Sequence, residues 1–274
     1  MARPVIALLT DFGNRDHYAG TMKGVALGIC AEATLVDISH DVAAGDVLGA
    51  ALELAAAYRY FPAGSIFLVV VDPGVGSSRR GLAAEAGAYR FVAPDNGVLS
   101  IVFDENPPER VVELIEARYA RPTVSRTFEG RDRFAPAAAW LATGIELTAL
   151  GPPAGTMHRL EMTRPRDTAD GVEGEVVRVD RFGNLITNID RQLCERLASG
   201  HPLVVRVGSL RISKVVSYYA DSSPGELCVL FGSTDHLEIA ANGASAAAAI
   251  GAGRGTPVLV GLQQPSPVPT ARVA

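Results

Sequence analysis

The sequence predicts an α/β N-terminal domain with a mostly parallel central sheet, followed by a smaller all-β barrel C-terminal domain. The chain has 274 residues, and a single domain usually takes about 150. Up to about residue 150, short β-rich runs alternate with helical stretches, which is typical of an α/β layer. Beyond residue 170, short strands follow one another at close spacing with turn residues between them, which is typical of a small barrel or sandwich.

The first half of the chain supplies the elements of the α/β domain. Runs of apolar and β-branched residues predict strands over residues 5–10, 34–38, 65–71, 90–93 and 110–115. Helix-forming composition predicts helices over 19–31 and 45–60, and a third helix over 132–143 that begins with Asp132 as its N-cap and carries Pro136 in its first turn. Because helices fall between strands, the strands are expected to pair in parallel.

Prolines and glycines without sustained periodicity separate this half from the next. We therefore divide the chain into an α/β domain (1–155), a linker (156–170), a barrel domain (171–264) and a proline-containing tail (265–274) that is expected to be disordered. The barrel strands are predicted over residues 174–180, 184–189, 203–207, 210–212, 226–231 and 257–262, with one alanine-rich helix over 244–250.

Composition and charge exclude several classes of protein. With 48% hydrophobic residues the chain can bury a core, and a net charge of −5 argues against a broad surface for nucleic acid or anionic lipid. No apolar run approaches the ~20 residues of a membrane-spanning helix. The N-terminal stretch lacks a signal sequence, so a cytoplasmic location is expected. Cys30, Cys194 and Cys228 form no CxxC pattern and are expected to be buried apolar residues.

Acidic residues follow two of the predicted strands. Asp11 and Asp16 come after the first strand, and Asp72 leaves the third strand and faces Arg79 across a glycine-rich turn. Ligands of open α/β sheets bind beyond the carboxyl ends of strands, so these residues are candidates for a binding site. Helix capping by the first two, and a structural ion pair between Asp72 and Arg79, are equally simple explanations.

Other polar segments are candidates with structural alternatives of their own. Residues 93–97 (APDNG) and 180–188 (DRFGNLITN) are explained by turn chemistry, unless their amides bind a ligand. Residues 127–134 (TFEGRDRF) place two acids and two arginines before a helix, and Ser233 lies in a segment rich in potential donors. The sequence contains no GxGxxG, GxxxxGK[ST], GxSxG or HExxH motif, and its five histidines are scattered.

Six motifs in the right order resemble the S-adenosylmethionine hydroxide adenosyltransferase family, relatives of the fluorinating and chlorinating enzymes. They are TDFG at 10–13, VDPGVG at 71–76, APDNG at 93–97, GRDRFAP at 130–136, DRFGNLITNI at 180–189 and LEIAANG at 237–243. The resemblance implies hydrolysis of S-adenosylmethionine to adenosine and L-methionine by water attack at the 5′ carbon, with no metal or cofactor. It also implies a homotrimer with its sites at subunit interfaces.

The resemblance assigns the water-handling role to Asp72 and Arg79. The family's third catalytic residue is a histidine, and this chain has Glu129 there, which adds negative charge beside Asp72. The halogenating relatives lack the aspartate, so its presence favours water over halide as the nucleophile.

The resemblance also assigns substrate-binding residues. Asp11 would hold the ribose hydroxyls, Asp16 the methionine ammonium, and Ser233 the methionine carboxylate. The remaining expected substrate contacts are Asp180, Phe182 and Asn184 around the methionine and ribose, and Asn242 at the adenine. Thr234 and Ala241 stand where the fluorinating relatives carry arginine, so carboxylate recognition is expected to depend more on hydroxyls and backbone amides.

Two other functions fit the residues. In the first, the change at Glu129 has removed turnover and the chain binds S-adenosylmethionine without cleaving it. In the second, Asp11, Asp16 and Asp72 hold Mg²⁺ or Mn²⁺ in a metal-dependent hydrolase.

Overall fold

A computed structural model describes residues 3–263 of the chain. The chain divides into two compact units, the first ending at Glu161 and the second beginning at Met162. The tail predicted to be disordered, 265–274, lies outside the described residues.

The first unit is built on a six-stranded mixed sheet. Its strands are β1 (Val5–Thr10), β2 (Thr34–Ser39), β3 (Ile66–Val70), β4 (Gly81–Ala86), β5 (Tyr89–Pro94) and β6 (Arg110–Glu113). They lie in the order β2-β1-β3-β5-β4-β6. The pairs β1–β2, β1–β3 and β3–β5 are parallel, whereas β4 pairs antiparallel with both β5 and β6. The unit is therefore α/β as predicted, with an antiparallel edge that the sequence did not indicate.

Helices cover both faces of this sheet, which buries every residue of β3. They are α1 (Tyr18–Ile29), α2 (Val47–Ala57), α3 (Ser100–Glu105) and α4 (Ala135–Ala142). Because side chains alternate along a strand, Ile6 and Leu8 pack into the core on the side of α1 and α4, while Ala7 and Leu9 pack into the core on the side of α2 and α3. The central strands are thus continuous apolar runs.

The third predicted helix starts differently from the prediction. Residues Gly130–Phe134 form a π-helical turn, and α4 follows it with Pro136 in its first turn. Asp132 is not an N-cap, because its fully buried carboxylate accepts hydrogen bonds from Arg131 Nε (2.7 Å) and from the backbone N–H of Ser125 (2.9 Å). Burial alone would raise the pKa of Asp132, but these hydrogen bonds hold it below its ordinary value.

The second unit is a barrel-like antiparallel sheet with two short helices. Its strands are β7 (Arg166–Thr168), β8 (Gly171–Val179), β9 (Leu185–Asp190), β10 (Leu203–Val207), β11 (Leu210–Ile212), β12 (Leu227–Phe231), β13 (His236–Ala241) and β14 (Pro257–Leu262). The order is β11-β10-β14-β8-β9-β13-β12, with β7 beside β8. A bridge from Val215 to Val229 joins the segment after β11 to β12, so the two ends of the sheet nearly meet.

The prediction of an all-β barrel for the second domain is confirmed in part. Helix α6 (Ala246–Ile250) matches the predicted alanine-rich helix, but α5 (Arg191–Ala198) was not predicted. Asp190 caps α5 by accepting from the N–H of Leu193 at 2.7 Å.

Two predictions about the whole chain can be compared with the described residues. The three cysteines are buried and form no disulfide, as expected. Within residues 3–263, none of the helices has the length and apolarity that crossing a bilayer requires.

Candidate active site

A pocket of about 330 Å³ opens at the carboxyl ends of β1 and β3, the edge at which the sequence predicts a ligand. The two strands are adjacent and parallel, which brings Asp11 and Asp72 to the same end of the sheet. The pocket is lined by Asp11, Phe12, Tyr18, Val70, Asp72, Val75, Thr127, Phe128, Glu129 and Gly130.

Arg79 joins the two predicted catalytic carboxylates. Its Nε donates to Asp72 Oδ1 at 2.8 Å, and its Nη2 donates both to Asp72 Oδ2 and to Glu129 Oε2. The three side chains are 10%, 5% and 12% exposed in the order Arg79, Asp72, Glu129. The structure thus brings all three predicted catalytic residues into one contact group, here called the acid–arginine cluster.

The turn between Asp72 and Arg79 depends on Gly76. Its φ of +77° lies in the left-handed region, and a Cβ at this position would lie 2.2 Å from the carbonyl oxygen of Arg126. The close approach holds the turn against the segment that leads to Glu129. Arg79, at the end of this turn, therefore contacts Glu129, which lies 50 positions further along the chain.

The charges of the cluster are nearly balanced. Two carboxylates share the guanidinium of Arg79, and Arg133 Nη2 lies 3.9 Å from Glu129 Oε1. Each carboxylate also lines the pocket, so either is placed to accept a proton from a molecule bound there. The positive charge of Arg79 lowers the cost of holding two buried carboxylates together.

Asp11 and three aromatic rings form another part of the pocket. Asp11 Oδ2 accepts from the N–H of Gly45 at 2.8 Å. The rings of Phe12, Tyr18 and Phe128 contact one another with centroids 5.1 to 5.8 Å apart, and we call them the aromatic wall. The wall offers apolar surface to a planar ligand. The sequence analysis missed its members, although Phe12 and Tyr18 lie beside the acidic residues that it selected.

A buried histidine supports the backbone beside Asp11. His40 is 3% exposed, its Nδ1 lies 2.8 Å from Thr10 Oγ1, and its carbonyl oxygen accepts from the N–H of Gly13 at 2.7 Å. Its Nε2 lies 3.0 Å from Asp37 Oδ1. Burial acts to raise the pKa of Asp37, but contacts with Lys23 and His40 lower it overall.

Two polar residues of the first unit do not contribute to the pocket. Asp16 is exposed, does not line the pocket, and makes no hydrogen bond or ion pair with any other residue of the described range 3–263. Asp95 accepts from Arg80 Nε (2.9 Å) and from the N–H of His158 (2.8 Å), so the turn at residues 93–97 has the structural role that its chemistry indicates.

In the second unit, Asp180 and Asn184 close a tight loop. The carboxylate of Asp180 accepts from the N–H groups of Phe182 (2.9 Å) and Asn184 (2.8 Å) and from Asn184 Nδ2 (2.9 Å). Gly183, with φ +84°, allows the loop to lie on Ser245, the N-cap of α6. Phe182 remains 76% exposed at the tip of the loop.

The other two predicted contacts of this unit flank β13. Ser233 is exposed on the turn before the strand, and Asn242 follows it, with Nδ2 donating to the carbonyl oxygen of Ser222 at 2.6 Å. Between them, Glu238 is 6% exposed and accepts from the hydroxyl of Tyr219 at 3.0 Å. Burial raises the pKa of Glu238 and that of Tyr219, the latter to about 12. The sequence analysis selected neither Glu238 nor Tyr219.

Comparison with known protein families identifies the family to which this chain belongs. The model of the SAM hydroxide adenosyltransferase N-terminal domain matches residues 6–151, and that of the corresponding C-terminal domain matches residues 174–259. Together the two matches span most of the chain. The chain belongs to the SAM hydroxide adenosyltransferase family.

Two relatives and one solved structure are similar to this SAM hydroxide adenosyltransferase family member along nearly their whole length. The (R)-S-adenosyl-L-methionine hydrolase of Thermus thermophilus is 38% identical, covering 93% of this chain and 98% of the relative. The (R)-S-adenosyl-L-methionine hydrolase of Salinispora tropica is also 38% identical, covering 90% and 94%. The crystal structure of an uncharacterized conserved protein from Thermotoga maritima superposes with a TM-score of 0.89 at 36% identity, covering 93% of this chain and 99% of that one.

The acidic residues of this family member do not form the metal site that was considered as an alternative. Both carboxylate oxygens of Asp72 accept from Arg79, and Asp16 lies outside the pocket that Asp11 and Asp72 share. Across the part of the chain that the structure describes, no group of three or more His, Cys, Asp or Glu side chains is arranged to hold a metal ion.

Proposed function

We propose that this chain hydrolyses S-adenosyl-L-methionine to adenosine and L-methionine by direct attack of water on the 5′ carbon, without a metal. The observation that carries the proposal is the acid–arginine cluster in the pocket of a chain whose full-length relatives are named (R)-S-adenosyl-L-methionine hydrolase. Those names point to the (R) epimer at sulfur as the substrate. The family match favours this function over binding without turnover and over a metal-dependent hydrolase.

The cluster supplies what the displacement needs. The sulfonium is already a good leaving group, so the task of the protein is to hold a water molecule in line with the C5′–S bond. Asp72 or Glu129 accepts a proton from this water as its oxygen bonds to C5′. The C5′–S bond breaks at the same time, and its electron pair stays on sulfur, which becomes the neutral thioether of methionine.

Arg79 has two parts in this mechanism. Its hydrogen bonds fix the orientation of both carboxylates, and its charge reduces their attraction for the cationic substrate in the ground state. Substrate binding that is equally strong in the ground state and the transition state would not raise kcat. The cluster therefore favours proton transfer over simple cation binding.

Substrate recognition is proposed to involve both units of the chain. Asp11 keeps one carboxylate oxygen for the ribose hydroxyls while the other accepts from Gly45, and the aromatic wall borders the same pocket. The exposed carboxylate of Asp16 is available to the methionine ammonium. The remaining proposed contacts are Asp180, Phe182, Asn184, Ser233 and Asn242. The exposure of Phe182 and Ser233 supports contact with a ligand or a neighbouring subunit.

The assembly and the location remain proposals, and the resemblance supports the assembly. We propose a homotrimer in which each site takes residues from two neighbouring subunits, and a cytoplasmic location. The domain division at a linker over 156–170 is likewise proposed; within it, residues Arg166–Thr168 pair with β8.

A direct assay tests the proposed function. The purified chain is incubated separately with the (R) and (S) epimers at sulfur, with and without EDTA, and adenosine and methionine are followed by chromatography. Equal amounts of both products from the (R) epimer, unaffected by EDTA, are expected. A ligand-dependent rise in Tm without product would instead identify a binding protein, and loss of turnover in EDTA would identify a metal-dependent enzyme.

A further inference from the structure

The guanidinium of Arg79 is held by hydrogen bonds and also by an aromatic ring. It donates to Asp72 and Glu129, and Nη1 donates to the carbonyl oxygen of Arg80 at 3.3 Å. The guanidinium carbon lies over the ring of Phe134, 5.0 Å from the ring centroid. A cation over an aromatic face is attracted by the ring quadrupole, and the attraction is stronger where water is excluded. Arg79 is 10% exposed and Phe134 is fully buried.

The position of the ring depends on a glycine in the sheet. A Cβ on Gly81, the first residue of β4, would lie 2.6 Å from Phe134 Cε1, a distance that real Cβ atoms essentially never show. Gly81 therefore leaves the space that the ring fills beneath Arg79. Because Gly81 lies two residues after Arg79, the same short segment of chain carries the arginine and accommodates the ring.

The π-helical turn brings Phe134 and Glu129 to the same arginine. In an α-helix of 3.6 residues per turn, residues five apart point about 140° away from each other. In this π-helical turn, the N–H of Ala135 instead bonds to the carbonyl oxygen of Gly130, so residues five apart lie one turn apart. Glu129 precedes the turn and Phe134 ends it. Glu129 therefore accepts a hydrogen bond from Arg79 while the ring of Phe134 lies against the guanidinium carbon.

We infer that Phe134, set by Gly81 and the π-helical turn, is a positioning residue that holds the guanidinium of Arg79 in the plane in which it meets Asp72 and Glu129. Phe134 does not line the pocket, so it acts on the reaction only through Arg79. The effect on turnover rests on the proposed function, whereas the effect on the order of Arg79 does not. Loss of the ring should therefore lower kcat and leave KM nearly unchanged.

The kinetic test compares two substitutions of equal size in the core. Phe134→Leu should lower kcat roughly 10- to 100-fold with KM changed by less than about threefold, because small misplacements of catalytic groups are costly. Phe91→Leu is the matched control, because Phe91 is equally buried but lies in the core on the other face of the sheet. Its kcat should stay within about threefold of that of the unsubstituted chain.

A double-substitution cycle shows whether the effect passes through Arg79. In an Arg79→Lys background, Phe134→Leu should have little further effect on kcat, because there is no guanidinium left to orient. An undiminished loss in that background would overturn the inference, as would a Phe134→Leu enzyme with normal kcat. If Phe134→Leu does not fold, Gly81→Ala decides the matter, since it displaces the ring without removing it and should also lower kcat selectively.

A measurement of Arg79 itself separates this inference from the proposed function. The side-chain Nε–Hε NMR signal of Arg79, assigned by its absence in Arg79→Lys, should be sharp and protected from exchange with water. It should broaden in Phe134→Leu and Gly81→Ala and remain unchanged in Phe91→Leu. If the unsubstituted chain shows no hydrolysis, the proposed function fails, and this signal alone decides the inference: an unchanged signal in both variants would overturn it.

Discussion

Arg79 is the residue on which the charge balance of the pocket depends, because Asp72 and Glu129 are both nearly buried beside it. Replacing Arg79 by Met keeps an apolar stem, removes the cation that binds both oxygens of Asp72, and leaves Glu129 with only Arg133 at 3.9 Å. Removal of one member of a buried ion pair typically costs about 3–5 kcal/mol. We therefore expect Arg79→Met to lower the free energy of unfolding by about that amount at pH 7, as measured by urea denaturation.

The matched variant, Glu129→Gln, removes a negative charge from the cluster, whereas Arg79→Met removes the positive charge. Glu129→Gln leaves Arg79 paired with Asp72 through two hydrogen bonds, so its cost should be no more than about 1 kcal/mol. The double variant Arg79→Met, Glu129→Gln should regain part of the lost stability, because a single carboxylate then remains. Equal losses for the two single variants would show that charge balance does not govern this cluster.

Asp72 and Asp11 line the same pocket but are predicted to affect different kinetic constants. Asp72→Asn removes a proposed proton acceptor and should lower kcat by roughly 10²- to 10⁴-fold with little change in KM. Asp11→Ala removes a group that is proposed to contact the ribose, and it should mainly raise KM, by about tenfold or more. Steady-state kinetics with S-adenosylmethionine measures both. Equal changes in kcat and KM for the two variants would contradict the separate roles.

At the scale of elements, the loop that carries Phe182 depends on Gly183. An added Cβ would lie 2.1 Å from Ser245 Oγ, and the φ of +84° is unfavourable for any L side chain. Gly183→Ala should therefore lower the free energy of unfolding by at least about 3 kcal/mol. Gly200→Ala is the control, because its φ of +89° is similar but no atom lies within 4 Å of the added Cβ. It should cost only about 1–2 kcal/mol in the same denaturation measurement.

Strand β13 contains the carboxyl group of Glu238, whose titration should make the free energy of unfolding depend on pH. Burial raises the pKa of Glu238 above its ordinary value of 4.5, with Asp180 acting in the same direction and Tyr219, Arg178 and His236 opposing it. A raised pKa in the folded state means that this group's contribution to stability is present below pH 4.5 and is lost as pH rises through the raised value.

The substitution Glu238→Gln removes the ionised form and keeps a hydrogen-bond acceptor for Tyr219. The variant should therefore be more stable than the unsubstituted chain at pH 7, and the difference should shrink toward pH 4. Thermal unfolding across this range measures the trend. A difference that stays constant with pH would show that ionisation of Glu238 does not affect stability.

The elements that could be predicted from the sequence are those whose own residue pattern indicates a strand or a helix. Strands β1 and β10 were predicted with their exact bounds, because each is rich in apolar and β-branched residues. Strand β4 was missed because its sequence, GLAAEA, has no β-branched residue and forms a strand only by pairing between β5 and β6. Strand β13 was missed because the buried Glu238 interrupts its apolar pattern.

In the candidate site, too, contacts between neighbouring residues could be predicted and contacts between distant residues could not. The Asp72–Arg79 contact spans seven residues and one turn, so local reasoning from the sequence found it. Glu129 lay in a candidate segment, 127–134, but only the resemblance assigned it a catalytic role, and Phe134 was given no role. Their meeting at Arg79 depends on a π-helical turn, where the sequence instead indicated an α-helix capped by Asp132. A hydrogen-bond pattern so uncommon cannot be predicted from helix propensities.

At the scale of the whole molecule, the proposed substrate contacts are divided between the two units. Asp11 and Asp72 belong to the first unit, and Phe182 and Ser233 belong to the second. In the proposed trimer each site takes its first unit from one subunit and its second unit from a neighbour. A mixed trimer can combine subunits substituted in the first unit with subunits substituted in the second unit. Some sites are then built from two unsubstituted units. Light scattering after gel filtration should first show three copies of the 28.7 kDa chain.

Co-expression of two variants that are expected to be inactive then tests how each site is shared. Asp72→Asn removes a proposed proton acceptor. Phe182→Asp puts a charge at an exposed loop tip that is proposed to contact the substrate, where folding should tolerate it. In randomly mixed trimers with shared sites, about one quarter of the sites receive both unaltered halves, so about one quarter of full activity should return. Each variant expressed alone is the control. If every site is made within one subunit, no site in the mixture is intact, and the mixture should be as inactive as its components.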